Sequence, residues 1–244
     1  MKRLYPALFA IIAIVLVTSS CKKDKSDPDV IPDPPKILVM GADDATWIVD
    51  VKNKIDSTDL FTIVDTFDLS RRVPTLTLLA EYDALIVYTN DSPKDAVSTG
   101  DTLVAYINQG GGVVTATFAG NIPISGAFEQ YALLTETSQT STPSYMDVIL
   151  DVNHPILKSV LTFDGGTSSY RNNGGVISDG ATIVAKWEDG EPLIIVKENV
   201  GTKNVNMVFL NFFPPSNTMR DDFWDVSTDG DLLMAGALLW VSTK

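Results

Sequence analysis

Residues 84–117, ALIVYTNDSPKDAVSTGDTLVAYINQGGGVVTAT, decide the fold class. ALIVYT (84–89) is almost continuously apolar, as strands covered on both faces tend to be. Residues 99–109 place Leu103, Val104 and Ile107 inward on one helical face and stop at Gly110-Gly111-Gly112, residues that suit a left-handed helix end. VVTAT (113–117) reads as the next strand. Strand, helix, strand at this spacing implies parallel pairing through right-handed crossovers and helices on both faces of a sheet.

Upstream the same alternation holds. KILVM (36–40) is a short buried strand, and residues 45–54 continue as a helix that carries Ile48, Val51 and Ile55 on one face. FTIVDTF (61–67) is a second strand and TLTLLAE (75–81) a short helix. Downstream the character changes. Residues 145–199 are rich in Gly, Asn and Asp between short β-rich pieces at 147–152, 176–178, 182–187 and 193–197, with a hairpin turning at Glu188-Asp189-Gly190. NMVFLNF (206–212) returns to a buried strand, and DLLMAGALLWV (231–241) closes as a helix that Thr228 or Asp229 could cap. The expectation is an α/β, flavodoxin-like three-layer sandwich with a mostly parallel sheet and a β-rich insertion in its second half.

The first 35 residues are of another kind. Lys2 and Arg3 precede eleven apolar residues (7–17, ALFAIIAIVLV), within the range of a signal-peptide core and too short for a transmembrane helix of about 20 residues. The run ends in Val17-Thr18-Ser19-Ser20-Cys21, which resembles a bacterial lipobox, and Cys21 is the only cysteine of 244 residues. A single thiol excludes an intrachain disulfide and a cysteine metal cluster. The expectation is cleavage after residue 20 and acylation of Cys21 by palmitate or similar chains, with the membrane as first partner; two or more chains anchor stably where one does not. Residues 21–35 are charged, proline-rich and poor in apolar surface, and read as a tether. Lys22 is unlike an inner-membrane retention signal, so the outer membrane is the expected location, with residues 36–244 as one soluble domain.

Composition narrows the partners. Removing residues 1–20, which hold Lys2, Arg3 and no acid, takes the formal charge from −13 to −15. Nucleic acid is therefore not an expected partner, because binding phosphate backbones depends on Lys and Arg.

The segments YDALIVYTN (82–90), GDTLVAYINQGGGVVTATFAG (100–120), HPIL (154–157), NMVFLNFFPP (206–215) and DGDLLMAGALLW (229–240) resemble the class I glutamine amidotransferase-like superfamily, in particular its trehalose-utilisation-type and surface-protein branches. In the catalytic branches, the strand after the glycine-rich turn ends in an elbow that carries a cysteine, with His and Glu partners near the carboxyl end. Here the elbow falls at Thr117-Phe118-Ala119-Gly120, and the nucleophile is missing. His154, the only histidine, matches the family's His-Pro segment and not its catalytic histidine. Ser125 is the nearest hydroxyl after the elbow and lacks a G-x-S-x-G setting. No catalytic residue is assigned, since covalent catalysis needs a nucleophile with a base in reach.

In open α/β sheets ligands sit beyond the carboxyl ends of the strands. That rule selects Asp43, Asp44 and Trp47 after the first strand, Asp68 after the second, Asn90 and Asp91 after the third, Phe118 and Asn121 after the fourth, and residues 211–213 after the late strand. His154 and Arg171 are further ligand-binding candidates, the second from a stretch, RNNGG, that reads as a surface loop. Asp43 and Asp44 can equally cap the first helix, with Trp47 in the core. Asp43, Asp44 and Asp91 offer oxygen ligands for a divalent ion but match no calcium-loop spacing, and neither a metal nor a cofactor is expected. Two functions remain open: a non-catalytic module that binds a glycan or an envelope protein, and a carbohydrate-active enzyme working through carboxylates.

Overall fold

In the computed structural model, residues 33–118, 124–216 and 222–243 are described, so Cys21, the signal segment and Asn121 lie outside the described residues. The first strand, β1 (Lys36–Ala42), is buried at every position after Lys36. Ile37 and Val39 enter one apolar cluster and Leu38 and Met40 another, as the two-residue period of a strand requires when both faces are covered. Helix α1 (Ala45–Asp56) lays Ile48, Val51 and Ile55 on the first face. It is followed by β2 (Ile63–Asp68), α2 (Leu76–Leu79), β3 (Ala84–Thr89), α3 (Ala96–Asn108) and β4 (Gly112–Ala116). Leu79 of α2 and Leu103, Tyr106 and Ile107 of α3 cover the second face.

After β4 come five short strands and a longer return: β5 (Leu134–Thr135), β6 (Ser138–Thr140), β7 (Met146–Ile149), β8 (Arg171–Asn173) and β9 (Val176–Ile177), then β10 (Thr182–Trp187), β11 (Pro192–Val200), β12 (Val205–Leu210) and the closing helix α4 (Gly230–Ser242). The main sheet runs β2-β1-β3-β4-β12-β11-β10-β7. Its first five strands pair in parallel, in the flavodoxin-like order. Three antiparallel pairings then extend the sheet. Helix α4 joins α1 on the first face through Leu233, Met234, Ala237, Leu238 and Val241, which completes the three layers. β5 pairs with β9 and β6 with β8, outside the main sheet.

The expected α/β sandwich is thus the observed one, and the differences are local. Helix α3 begins at residue 96 and not 99, capped by Asp95, whose carboxylate accepts the Ser98 N–H at 2.9 Å. Its first turn contains Ser98, Thr99 and Gly100, weak helix formers that hide the start. Gly100 is required by packing: a Cβ there would come within 1.8 Å of the Ser125 carbonyl oxygen. The helix ends as expected, with Gly110 at φ +102°. Asp229 flanks the N-terminus of α4, but its carboxylate accepts the Leu161 and Thr162 N–H groups at 2.7 and 2.9 Å and does not cap the helix. No helix among the described residues is long and apolar enough to cross a membrane.

Candidate functional site

The parallel strands deliver their carboxyl-terminal residues to one end of the sheet. After β1, Asp44 is the N-cap of α1: its Oδ1 accepts the Thr46 N–H at 2.9 Å and the Thr46 hydroxyl at 2.8 Å. These bonds hold its carboxyl below the usual range. Trp47, one turn into α1, is half-buried against Phe213 and Phe223. After β3, the N–H groups of Asn90 and Asp91 both donate to the Ala42 carbonyl at 2.8 Å, which ties the ends of β1 and β3 together.

After β4 the chain turns at Thr117-Phe118, where Phe118 takes φ +74°. That is the left-handed region, uncommon for a bulky side chain and costing about 1–3 kcal/mol. Phe118 thus takes a turn conformation where the elbow is expected to begin; Ala119 and Gly120, its remainder, lie outside the described residues. After β12, Asn211 is fully buried and cross-braces the site. Its Oδ1 accepts the Asn172 N–H at 2.7 Å and the Thr117 hydroxyl at 3.2 Å, and its Nδ2 donates to the carbonyls of Asn172 and Pro192 at 3.0 and 2.8 Å. The end of β4, the strand β8 and the start of β11 are thus fixed to one side chain.

Between these ends lies a cleft of about 270 Å³ lined by Trp47, Asn90, Phe118, Gln139, Tyr170, Phe213 and Phe223. Five aromatic rings close a circuit around it. Trp47 meets Phe213 at 5.9 Å between centroids, Phe213 meets Phe118 at 5.4 Å, and Phe118 meets Tyr170 at 6.0 Å. Tyr170 then meets Phe223 at 5.5 Å, and Phe223 returns to Trp47 at 5.4 Å. Adjacent rings in the circuit are inclined by 51–65°, so they form a cup and not a stack. Phe213 and Phe223 brace it across the middle at 5.0 Å.

Behind Asn90 sits Asp43. Its Oδ1 accepts the Asp44 N–H at 2.8 Å and the Asn90 amide at 3.2 Å, while its buried Oδ2 has no hydrogen-bond partner among the described residues. Burial raises its carboxyl to about 6; the two hydrogen bonds pull the other way, and the neighbouring carboxylates Asp91 and Asp44 add to the rise. The Tyr88 hydroxyl is also buried without a partner, and burial together with the Asp43 charge pushes it well above the ordinary tyrosine value. Among the described residues no group of three His, Cys, Asp or Glu side chains is placed to hold a metal ion.

Trp47, Asn90, Phe118 and Phe213 of the residues selected from the sequence therefore line the cleft. Asp43 lies behind it, Asp44 serves the helix cap, and Asp91 is exposed beside Asn90. His154 is placed elsewhere. Its Nδ1 accepts the Ile156 N–H at 3.3 Å and its ring packs at 4.9 Å from Trp240 near the end of α4; burial lowers its pKa. Arg171 is not in a surface loop. It is buried in β8, paired with Asp189, bonded to the carbonyls of Thr142 and Ser169, and lies 5.2 Å from the Trp187 ring, so its guanidinium is committed to the interior. The sequence reading missed Gln139, Tyr170 and Phe223. Tyr170 stands beside a residue that was selected, and Phe223 belongs to an apolar pair in an acidic stretch (DDFWD); Gln139 carries no signal.

No family model and no curated protein matches the sequence. Solved structures do resemble it. The protein SMU.1228c matches over 72% of this chain and 75% of its own, with a TM-score of 0.50 at 12% identity. A glutamine amidotransferase from Thermotoga maritima matches over 74% of this chain and 77% of its own, with a TM-score of 0.47 at 11% identity. The exo-β-1,4-mannosidase Op5Man5 from Opitutaceae bacterium strain TAV5 matches over 73% of this chain, with a TM-score of 0.48 at 12% identity; the chain spans 31% of that protein's length. At such identities the likeness concerns the fold alone.

Proposed function

We propose that the domain is a non-catalytic binding module, held in the cell envelope by a lipid on Cys21, whose aromatic cleft takes one compact group of an envelope glycan or protein. The observation that carries this reading is Phe118. At the position where the resemblance implies a nucleophile, the backbone of Phe118 is left-handed and its side chain is a ring in the cleft wall that cannot attack a carbonyl or move a proton.

The rest of the lining is consistent with binding. Aromatic rings with a few amide groups can stack and orient a ligand, and among the described residues none that lines the cleft carries a carboxyl group, a thiol or an imidazole. A carbohydrate-active enzyme working through carboxylates would need a pair of acids flanking the bond to be broken. Of the acids near the cleft, Asp43 is buried behind Asn90, Asp44 is engaged at the helix cap, and Asp91, exposed beside Asn90, is not part of the described lining.

The test is retention of the purified chain on envelope polysaccharide and outer-membrane fractions, repeated with Trp47→Ala and Tyr170→Ala. Saturable retention lost in both variants is expected; unchanged retention removes the cleft from the account. The anchor is tested separately: Cys21→Ser should abolish labelling by an alkyne fatty acid and release the protein from membranes, and equal labelling of both forms refutes it.

A further inference from the structure

We infer that the group seated in the aromatic cup is an organic ammonium ion, such as a trimethylammonium group, and not a neutral sugar ring. The inference rests on the binding reading above and adds the charge of the ligand. Three independent features point to it.

The first is the wall. Five rings line about 270 Å³, and the polar side-chain groups among the described lining residues are the Asn90 and Gln139 amides, the Tyr170 hydroxyl and the Trp47 indole N–H. A neutral sugar exchanges many hydrogen bonds with water and needs several replacements when it is desolvated. A methylated ammonium has no such demand, and an accessible ring attracts it through its quadrupole by about 0.5–2 kcal/mol per contact; Trp47 and Tyr170 are the half-buried rings that can make such contacts, with the buried rings of Phe118, Phe213 and Phe223 packed behind them. The volume is below the range of about 300–1,000 Å³ usual for drug-sized ligands, which suits a headgroup.

The second is the charge around the cup. Among the described residues no Lys or Arg lines it, and acids stand at its back and edge: Asp43 behind Asn90, and Asp44 and Asp91 exposed beside them. Among the described residues the charged groups near the cleft are acids, which disfavours an anionic ligand. The third is Asp43 itself, a 5% exposed carboxyl with one oxygen that finds no donor among the described residues. A buried carboxylate without a counter-charge is costly, and a cation lodged on the other side of Asn90 supplies one. Asp43 is thus a positioning residue: its Oδ1 accepts one N–H of the Asn90 amide and so fixes the orientation of a group that lines the cleft.

The experiment titrates the purified full chain, at constant ionic strength, with tetramethylammonium, choline and the neutral isostere of choline, 3,3-dimethylbutan-1-ol, and reads tryptophan fluorescence and calorimetric heat. Choline is expected to bind about tenfold tighter than its isostere, the size of one well-desolvated cation–π contact. Binding should weaken as the pH falls through about 6, where Asp43 becomes neutral, and this pH dependence should be absent in Asp43→Asn. Phosphocholine and trimethyl-lysine separate a headgroup source from a peptide source. Equal affinity for choline and the isostere, or no binding of any ammonium compound, overturns the inference. Retention on envelope fractions that depends on Trp47 would in that case leave the binding reading standing with a neutral ligand. The comparison of choline with its isostere uses wild-type protein and so does not depend on any variant folding.

Discussion

Replacing Asn211 with alanine should destabilise the domain more than any surface change and should do so through the cleft. The side chain is fully buried and makes four hydrogen bonds, to the Thr117 hydroxyl, the Asn172 N–H and the carbonyls of Asn172 and Pro192. At a net value of about 1 kcal/mol per bond, with desolvated partners left behind, the loss comes to about 4 kcal/mol. For a domain of this size that is a fall in Tm of about 8–16 °C. Urea denaturation followed by tryptophan fluorescence measures it. Asn211→Asp sharpens the test. Its new carboxyl faces two carbonyl oxygens, so its folded pKa must lie above the unfolded value of about 3.9. The variant's deficit is then small below about pH 4 and grows as the pH rises through its folded pKa. A loss under about 1 kcal/mol in Asn211→Ala, or a deficit in Asn211→Asp that does not change with pH, would refute the role given to this side chain.

Asp43→Asn should remove a pH dependence: because burial raises the native carboxyl to about 6, the wild type loses up to about 3 kcal/mol as the pH rises from 4 through 6, and the variant does not, as denaturation at pH 4.5 and 7 will show. Asp50→Ala should cost about 3 kcal/mol, because Asp50 accepts the Ser216 N–H at 2.9 Å and the Lys54 ammonium at 2.5 Å, and loss of one partner strands a largely buried charge; thermal unfolding reads this. Gly112→Ala should lower stability by about 3 kcal/mol, since its Cβ would fall 2.1 Å from the Val241 carbonyl oxygen and drive the end of α4 off the sheet; an unchanged denaturation midpoint would contradict that packing.

The first half of the fold was legible because its elements are apolar runs of one period. ALIVYT marks β3 at both ends, and the positions beyond the strands' carboxyl ends include four that line the cleft, Trp47, Asn90, Phe118 and Phe213. The second half was legible only in its longest strands. β6 (SQT) and β8 (RNN) have neither alternation nor β-branched runs, and they exist because they pair with each other and with the buried Asn211 amide. Gln139 and Tyr170 enter the site through those long-range bonds, and no local pattern announces them. Arg171 shows the same limit from the other side. Its charge and its Asn-Gly neighbours read as surface, whereas an acid, two carbonyls and an indole ring 30 residues or fewer away take it inside.

The central claim is that the cleft holds its ligand and does not transform it. The direct measurement is to incubate wild type and Trp47→Ala with the envelope polysaccharide or peptide that the protein retains, then follow bound fraction and ligand mass together over many binding lifetimes. The account predicts saturable binding by the wild type, loss of it in Trp47→Ala, and a ligand recovered with unchanged mass. A cleaved or deamidated ligand that accumulates with wild type and not with the variant would contradict it.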